Sequence, residues 1–171
     1  MILLAAVLLA AEANPVRSTP ALGTAEGRCR TPEPGPAIIV TAEGLKDRQG
    51  TLKLELYPPD QADFLADDNK LVAAGKTFRR VIVPVPPQGP AELCIRVPAP
   101  GAYTMALTHD RDGRPKFNFS RDGIGFPGNP KLGLGAPPAE KARIEAGPGL
   151  TRTTIVLNYR TGILSFGPIR R

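Results

Sequence analysis

Residues 37–57 read AIIVTAEGLKDRQGTLKLELY. Ile38, Val40 and Ala42 alternate with Ile39, Thr41 and Glu43, and Leu52, Leu54 and Leu56 alternate with Lys53, Glu55 and Tyr57. Successive side chains of a strand point to opposite faces, so this period of two describes two strands, each with one apolar face. The seven residues from Gly44 to Gly50 between them carry turn chemistry, and the pair is expected to form a hairpin.

The same pattern recurs along the chain. Phe78–Val85 and Glu92–Val97 form a second expected pair across the proline-rich link 86–90. Pro84 places the first of them at a sheet edge, because proline cannot donate to a ladder. Ala102–His109 is a strand with Tyr103, Met105, Leu107 and His109 on one face. Arg143–Ala146, Thr153–Tyr159 and Ile163–Phe166 supply the closing strands. Pro58–Lys76 departs from period two, as does the long irregular region before Arg143; Ala62, Phe64, Leu65 and Ala66 suit one helical turn after Asp60, covering one end of the core. Seven or eight short strands with frequent turns indicate an all-β protein, an antiparallel Greek-key β-sandwich over residues 37–171. The run Pro100-Gly101-Ala102-Tyr103 suits either a corner tyrosine, whose hydroxyl bonds back to the backbone, or a plain core aromatic.

The start of the chain is different. Met1 to Ala11 is apolar, too short to span a bilayer, and is followed by the small-x-small pattern Ala11-Glu12-Ala13, so residues 1–13 are expected to be a cleaved signal peptide. Residues 14–36 form a polar, proline-rich linker with Cys29 as its anchor. An exported chain meets an oxidising compartment, and its two cysteines, Cys29 and Cys94, are expected to form one disulfide. Cys94 has the parity of Glu92 and Arg96, opposite Leu93, Ile95 and Val97, which puts the bridge on an outer face or edge. The expected location is periplasmic or secreted, with no transmembrane segment after cleavage. The formal net charge is +6, but the basic residues are scattered among acids, which argues against nucleic acid and leaves an envelope protein or polymer as the partner.

The stretch from Pro98 to Phe126, PAPGAYTMALTHDRDGRPKFNFSRDGIGF, runs from a strand into a loop rich in charge, glycine and phenylalanine. His109-Asp110-Arg111-Asp112-Gly113 begins like a calcium loop, with oxygen ligands at alternate positions and a glycine at the bend. The match then fails at Arg114, Pro115 and Lys116, with no closing glutamate. Asp110 and Asp112 are therefore the only metal candidates, and no cofactor is expected. His109 is the sole histidine and has the parity of the buried face, as a structural residue bonding loop carbonyls would. A hydrolase using His109 with Asp110 or Ser120 is the alternative, although neither a nucleophile elbow nor an oxyanion loop accompanies it. Asp67 and Asp68 are surface charges. Phe117, Phe119 and Phe126 either fold inward as a lid or stay exposed for recognition. The expected function is a binding or envelope-associated module with the 109–129 loop as contact surface, using His109, Asp110, Asp112, Phe119, Arg121, Asp122, Phe126 and Asn129.

Gly44-Leu45-Lys46-Asp47-Arg48-Gln49-Gly50-Thr51-Leu52, Pro100-Gly101-Ala102-Tyr103, His109-Asp110-Arg111-Asp112-Gly113, Asp122-Gly123-Ile124-Gly125-Phe126 and Asn129, taken in order over residues 37–159, resemble the bacterial domain of unknown function 2141. The resemblance implies an exported β-sandwich similar to transthyretin-like and carboxypeptidase-regulatory-like modules, with no established enzymatic activity. Family members often carry a longer His-Asp-x-Asn-x-Asn-Gly-x-x-Asp run. Here it is shortened around Arg114 and Pro115, so no metal role is carried over.

Overall fold

The computed structural model describes residues 15–114, 116–133, 135–163 and 165–169. The expected signal peptide, 1–13, lies outside them. Among the described residues ten strands form two sheets. The first sheet has β4 (Ala91–Arg96), β1 (Ala37–Glu43) and β8 (Leu150–Val156) in that order. The second runs β10 (Phe166–Pro168), β9 (Asn158–Arg160), β6 (Gly123–Gly125), β5 (Gly101–Asp110), β2 (Thr51–Tyr57), β3 (Arg79–Pro84), with β7 (Arg143–Ala146) beside the start of β5. The chain is thus an all-β sandwich. Among the described residues no helix is long and apolar enough to cross a membrane.

The alternation places its apolar residues between the layers. Ile38, Val40, Leu93, Ile95 and Ile155 of the first sheet meet Leu52, Leu54, Leu56, Met105 and Leu107 of the second, all of them buried in one cluster. Burying a side chain of this size stabilises the fold by roughly 1.5–3 kcal/mol.

The expected hairpins do not form. β1 pairs with β4 and β8, whereas β2 pairs with β3 and β5. The 44–50 loop instead carries the chain from one layer to the other. Its Leu45 is buried in the core, and the Glu43 carbonyl at the end of β1 accepts from the Leu157 amide at 2.9 Å. The link after β3 crosses layers in the same way, and Arg48 Nη1 holds it by donating to the carbonyls of Pro86 and Gly89 at 3.2 and 3.0 Å. Period-two alternation says which face is dry, and that is satisfied equally by a neighbour in the same sheet or by a strand across the core. One pairing also departs from the expected antiparallel arrangement: β1 and β8 run parallel, because β8 arrives from β7 in the opposite sheet. Pro84 does lie on an edge strand, β3.

A second layer of packing was not foreseen. Tyr57 and Ala106 on the outer face of the second sheet are covered by Phe64, Leu71, Phe78, Phe126, Leu132 and Ala142. β5 is consequently buried on both faces. The 58–78 segment covers this outer face rather than one end of the main core. Hydrogen bonds from Asp63 and Phe64 to the Asp60 carbonyl make only a turn there, and the helix follows it, α2 (Asp68–Ala73). Tyr103 is a corner tyrosine: its hydroxyl donates to the Ala99 carbonyl at 2.8 Å.

Residues 15–36, expected as a linker, lie along β3 and β4. Arg80 is buried between the carboxylates of Glu55 and Asp68, and donates through Nε to Glu55 at 2.8 Å and through Nη2 to Asp68 at 2.9 Å. Its remaining Nη1 donates to the Thr19 carbonyl at 2.8 Å, and its backbone amide to Gly23. A buried guanidinium needs every donor satisfied, and the arm supplies the acceptors that the sheet lacks. Cys29 and Cys94 form the disulfide, on the edge strand β4. It joins residues 65 positions apart, so replacing both cysteines by serine should cost roughly 4 kcal/mol in the chain-entropy account. Denaturant unfolding of the two proteins measures this, and a loss below about 1 kcal/mol would show that the arm's other contacts already hold it.

Candidate functional site

The 109–129 loop leaves the sheet at the last residues of β5, where His109 faces Leu52 on β2 and Gly123 on β6. The imidazole is fully buried. Nε2 lies 2.7 Å from the Gln49 carbonyl and Nδ1 lies 2.7 Å from the Tyr159 hydroxyl. A carbonyl only accepts, so Nε2 carries the hydrogen. Nδ1 then accepts from the Tyr159 hydroxyl, which in turn accepts from the Lys46 amide at 3.1 Å. Burial pushes the imidazole below the usual histidine range and raises the Tyr159 phenol to about 12. Both groups are held neutral.

Asp47 extends this network. Its carboxylate accepts from Arg111, through Nε at 2.9 Å and through Nη2, and from the Gln49 amide at 3.1 Å. The Arg111 guanidinium holds that carboxyl below the ordinary aspartate range. The loop base is therefore tied to the 44–50 turn by an ion pair as well as by the histidine. Two glycines make the approach possible. Gly50 has φ +76°, and a Cβ there would sit 2.0 Å from the Asp110 carbonyl; one on Gly123 would sit 2.4 Å from the Tyr159 ring.

The acids of the loop turn inward. Oxygens of Asp110, Asp112 and Asp122 lie within 4.8 Å of one another. Asp122 is buried and accepts from the amides of Arg111 at 3.0 Å and Asn118 at 2.7 Å. Asp110 accepts from the amides of Asp112 and Gly113, and Asp112 from the Asn118 side chain at 2.7 Å and the Arg114 amide. The Asn118 hydrogen bond keeps the Asp112 carboxyl below its ordinary range. Peptide N–H groups thus offset the repulsion among the three carboxylates. Three such groups are also well short of the six to eight oxygens that calcium takes. Sequence spacing had suggested Asp110 and Asp112; Asp122, eleven residues beyond Arg111, is the third member.

The phenylalanines divide. Phe126 is buried in the second core, whereas Phe117 and Phe119 stay 40 % and 38 % exposed. With Ile124, Leu132 and Phe166 they line an apolar slot of about 250 Å³. Phe119 stacks on Phe166 with ring centroids 4.6 Å apart, and the Arg160 guanidinium lies 5.9 Å from the Phe119 centroid. A larger cleft of about 400 Å³ runs between Thr19, Lys53, Arg80, Asp110 and Arg114, but its cations pair with Glu55, Asp68 and Asp112.

Of the residues expected to bind, Phe119 and Arg121 are exposed, whereas Asp110 and Asp112 are half-buried with their carboxylates on donors within the loop. His109, Phe126 and Asp122 are framework. Asn129 is exposed but occupied: its amide group donates to the Thr154 carbonyl at 3.2 Å and accepts from the Val156 amide at 2.7 Å, capping the edge of β8. Ser120 does not meet His109, whose two nitrogens are taken; its hydroxyl lies 3.5 Å from Arg160. Phe166 and Arg160, some forty residues further on, were missed because no local pattern links them to the loop.

Two measurements test this arrangement. Unfolded, the imidazole takes a proton near about pH 6.5, while the folded one stays neutral there. The unfolded chain then binds more protons, so stability is full above about pH 6.5 and falls below it, by up to about 1.4 kcal/mol per pH unit. Denaturation curves between about pH 7 and about pH 5 should show this slope in the wild type and a flatter one in His109→Gln; a flat wild-type profile would mean the ring is not held neutral. Gly123→Ala should cost about 1–3 kcal/mol by driving a methyl group into Tyr159, and an unchanged melting temperature would refute that contact.

None of the curated proteins matches this sequence, and no solved structure does. The residues carrying the sequence motifs, Asp47, Gln49, Gly50, His109, Asp122 and Gly123, are the ones that converge at the base of the loop. The chain belongs to a family of uncharacterized proteins conserved in bacteria, DUF2141, which it matches over residues 40–154.

Proposed function

We propose that the protein is an exported binding module of the bacterial envelope, with the 109–129 loop as its contact surface. The observation that carries this reading is the pairing of a fixed base with an exposed tip. His109, Tyr159, Asp47 and Arg111 immobilise the start of the loop, while Phe117 and Phe119 remain open to solvent above an apolar slot. A rigid scaffold that presents a loop with aromatic side chains loses little entropy on binding. The disulfide supports a periplasmic or secreted location, since such bonds persist in oxidising compartments. Residues 1–13 act as the export signal, and 37–171 form the domain that reaches the envelope.

A photoreactive phenylalanine analogue tests the surface directly. Placed at Phe119 it should crosslink to envelope material in intact cells. Placed at Ile82, which is equally exposed at 39 % but lies on β3, it should not. Equal labelling from both positions, or none from Phe119, would remove the loop from consideration as the contact surface.

A further inference from the structure

The tip of the 109–129 loop is continuous with the turn between β9 and β10. Arg160 joins them: its guanidinium lies over the Phe119 ring, and it donates to the carbonyls of Gly162 at 2.9 Å and Ile163 at 3.4 Å. Ile163 is 82 % exposed, the most exposed large apolar residue among those described. Linked to Phe119 through Arg160 and outside the lining of the slot, it makes with Phe117 and Phe119 a set of three exposed apolar groups, the apolar ridge.

Charge is segregated around this ridge. Lys116, Arg121, Lys131 and Arg160 are all exposed and make no ion pair among the described residues. Arg114 is 72 % exposed at its side chain, and its partner Asp112 only 9 %. The three loop acids instead turn inward onto peptide amides. The outward charge is positive, and the outward apolar groups are aromatic or branched.

Resting on the reading of this loop as the contact surface, we propose that its partner is an anionic phospholipid surface. Phe117, Phe119 and Ile163 would enter the interface while Lys116, Arg121, Lys131 and Arg160 meet the headgroups. Interfacial binding takes an apolar wedge flanked by cations, and each cation near an anionic surface strengthens it about fivefold. A small ligand in the slot would leave Ile163 in water, whereas a bilayer covers slot and ridge together. A second copy of the chain is disfavoured because it would bring two sets of unpaired cations face to face.

The test is flotation of the purified protein with vesicles of phosphatidylcholine containing phosphatidylglycerol, and with phosphatidylcholine alone. Binding is expected only to the first, weakening as salt rises. Arg121→Gln and Lys116→Gln should each lower the partition coefficient about fivefold. Ile163→Ser, which cannot disturb a core it does not enter, should lower it as well. Arg152→Gln, on β8, should change nothing. Equal binding to neutral vesicles would overturn the charge argument, and binding unaffected by Ile163→Ser would overturn the ridge. If vesicles are ignored while position 119 crosslinks to an envelope protein, the lipid inference fails and the contact surface stands. If neither occurs, both fail.

Discussion

The two hydrogen bonds of the His109 imidazole fix the end of the sandwich from which the loop departs. They join three segments distant in sequence: the 44–50 crossing through the Gln49 carbonyl, β5 through the histidine itself, and β9 through Tyr159. For a fully buried imidazole an unpaired ring nitrogen would cost about 1–3 kcal/mol, so the arrangement is stable only when both partners are in place. Both ring nitrogens are thereby engaged, Nε2 by the Gln49 carbonyl and Nδ1 by the Tyr159 hydroxyl.

From that fixed end the electrostatics of the loop follow. Arg111 is pulled back onto Asp47, and its main-chain amide onto Asp122, so the chain turns sharply where three aspartates crowd together. Their charge is met largely by peptide N–H groups, and of the loop's cations Arg111 pairs with Asp47 and Arg114 with Asp112, which leaves Lys116 and Arg121 with no ion pair among the described residues. A similar logic operates at the opposite edge of the second sheet. There Arg80, Glu55 and Asp68 form a buried network whose last donor needs the Thr19 carbonyl. Breaking such a network by removing one partner is costly, even though the network itself adds little over apolar packing. The arm is therefore part of the fold, and the disulfide shortens the search by which it finds its place.

Much of this was legible in the sequence, and the limits have physical causes. The strand faces followed from parity: Leu52, Leu54 and Leu56 point inward, His109 shares the face of Leu107, and Cys94 sits outward where Cys29 reaches it. Strand neighbours did not follow, since parity reports the dry side and not the adjacent strand. The helix α2 has a single well-buried apolar residue, Leu71, too few to produce a period, and it is ordered by Arg80 from another element. β6 is Gly-Ile-Gly, too short and too glycine-rich to signal a strand despite its isoleucine; it pairs because β5 and β9 flank it and because Tyr159 needs the space that Gly123 leaves. The acceptor for His109 is a main-chain carbonyl, which has no sequence signature at all.

The division among the phenylalanines shows how a single loop serves both stability and recognition. Phe126 follows a β-strand residue paired to β5 and falls into the second core, meeting Phe64 with centroids 5.8 Å apart in an edge-to-face contact. Phe117 and Phe119 precede that strand, where the chain is held by its own Asp112–Asn118 and Asp122–Asn118 hydrogen bonds rather than by a ladder. Packing against Phe166 from β10 leaves both rings partly exposed. Local polar bonds thus carry these aromatics outward on a stiff turn, while a few residues later the sheet draws the next one in. Exposure at the tip results from where the ladder begins, at Gly123.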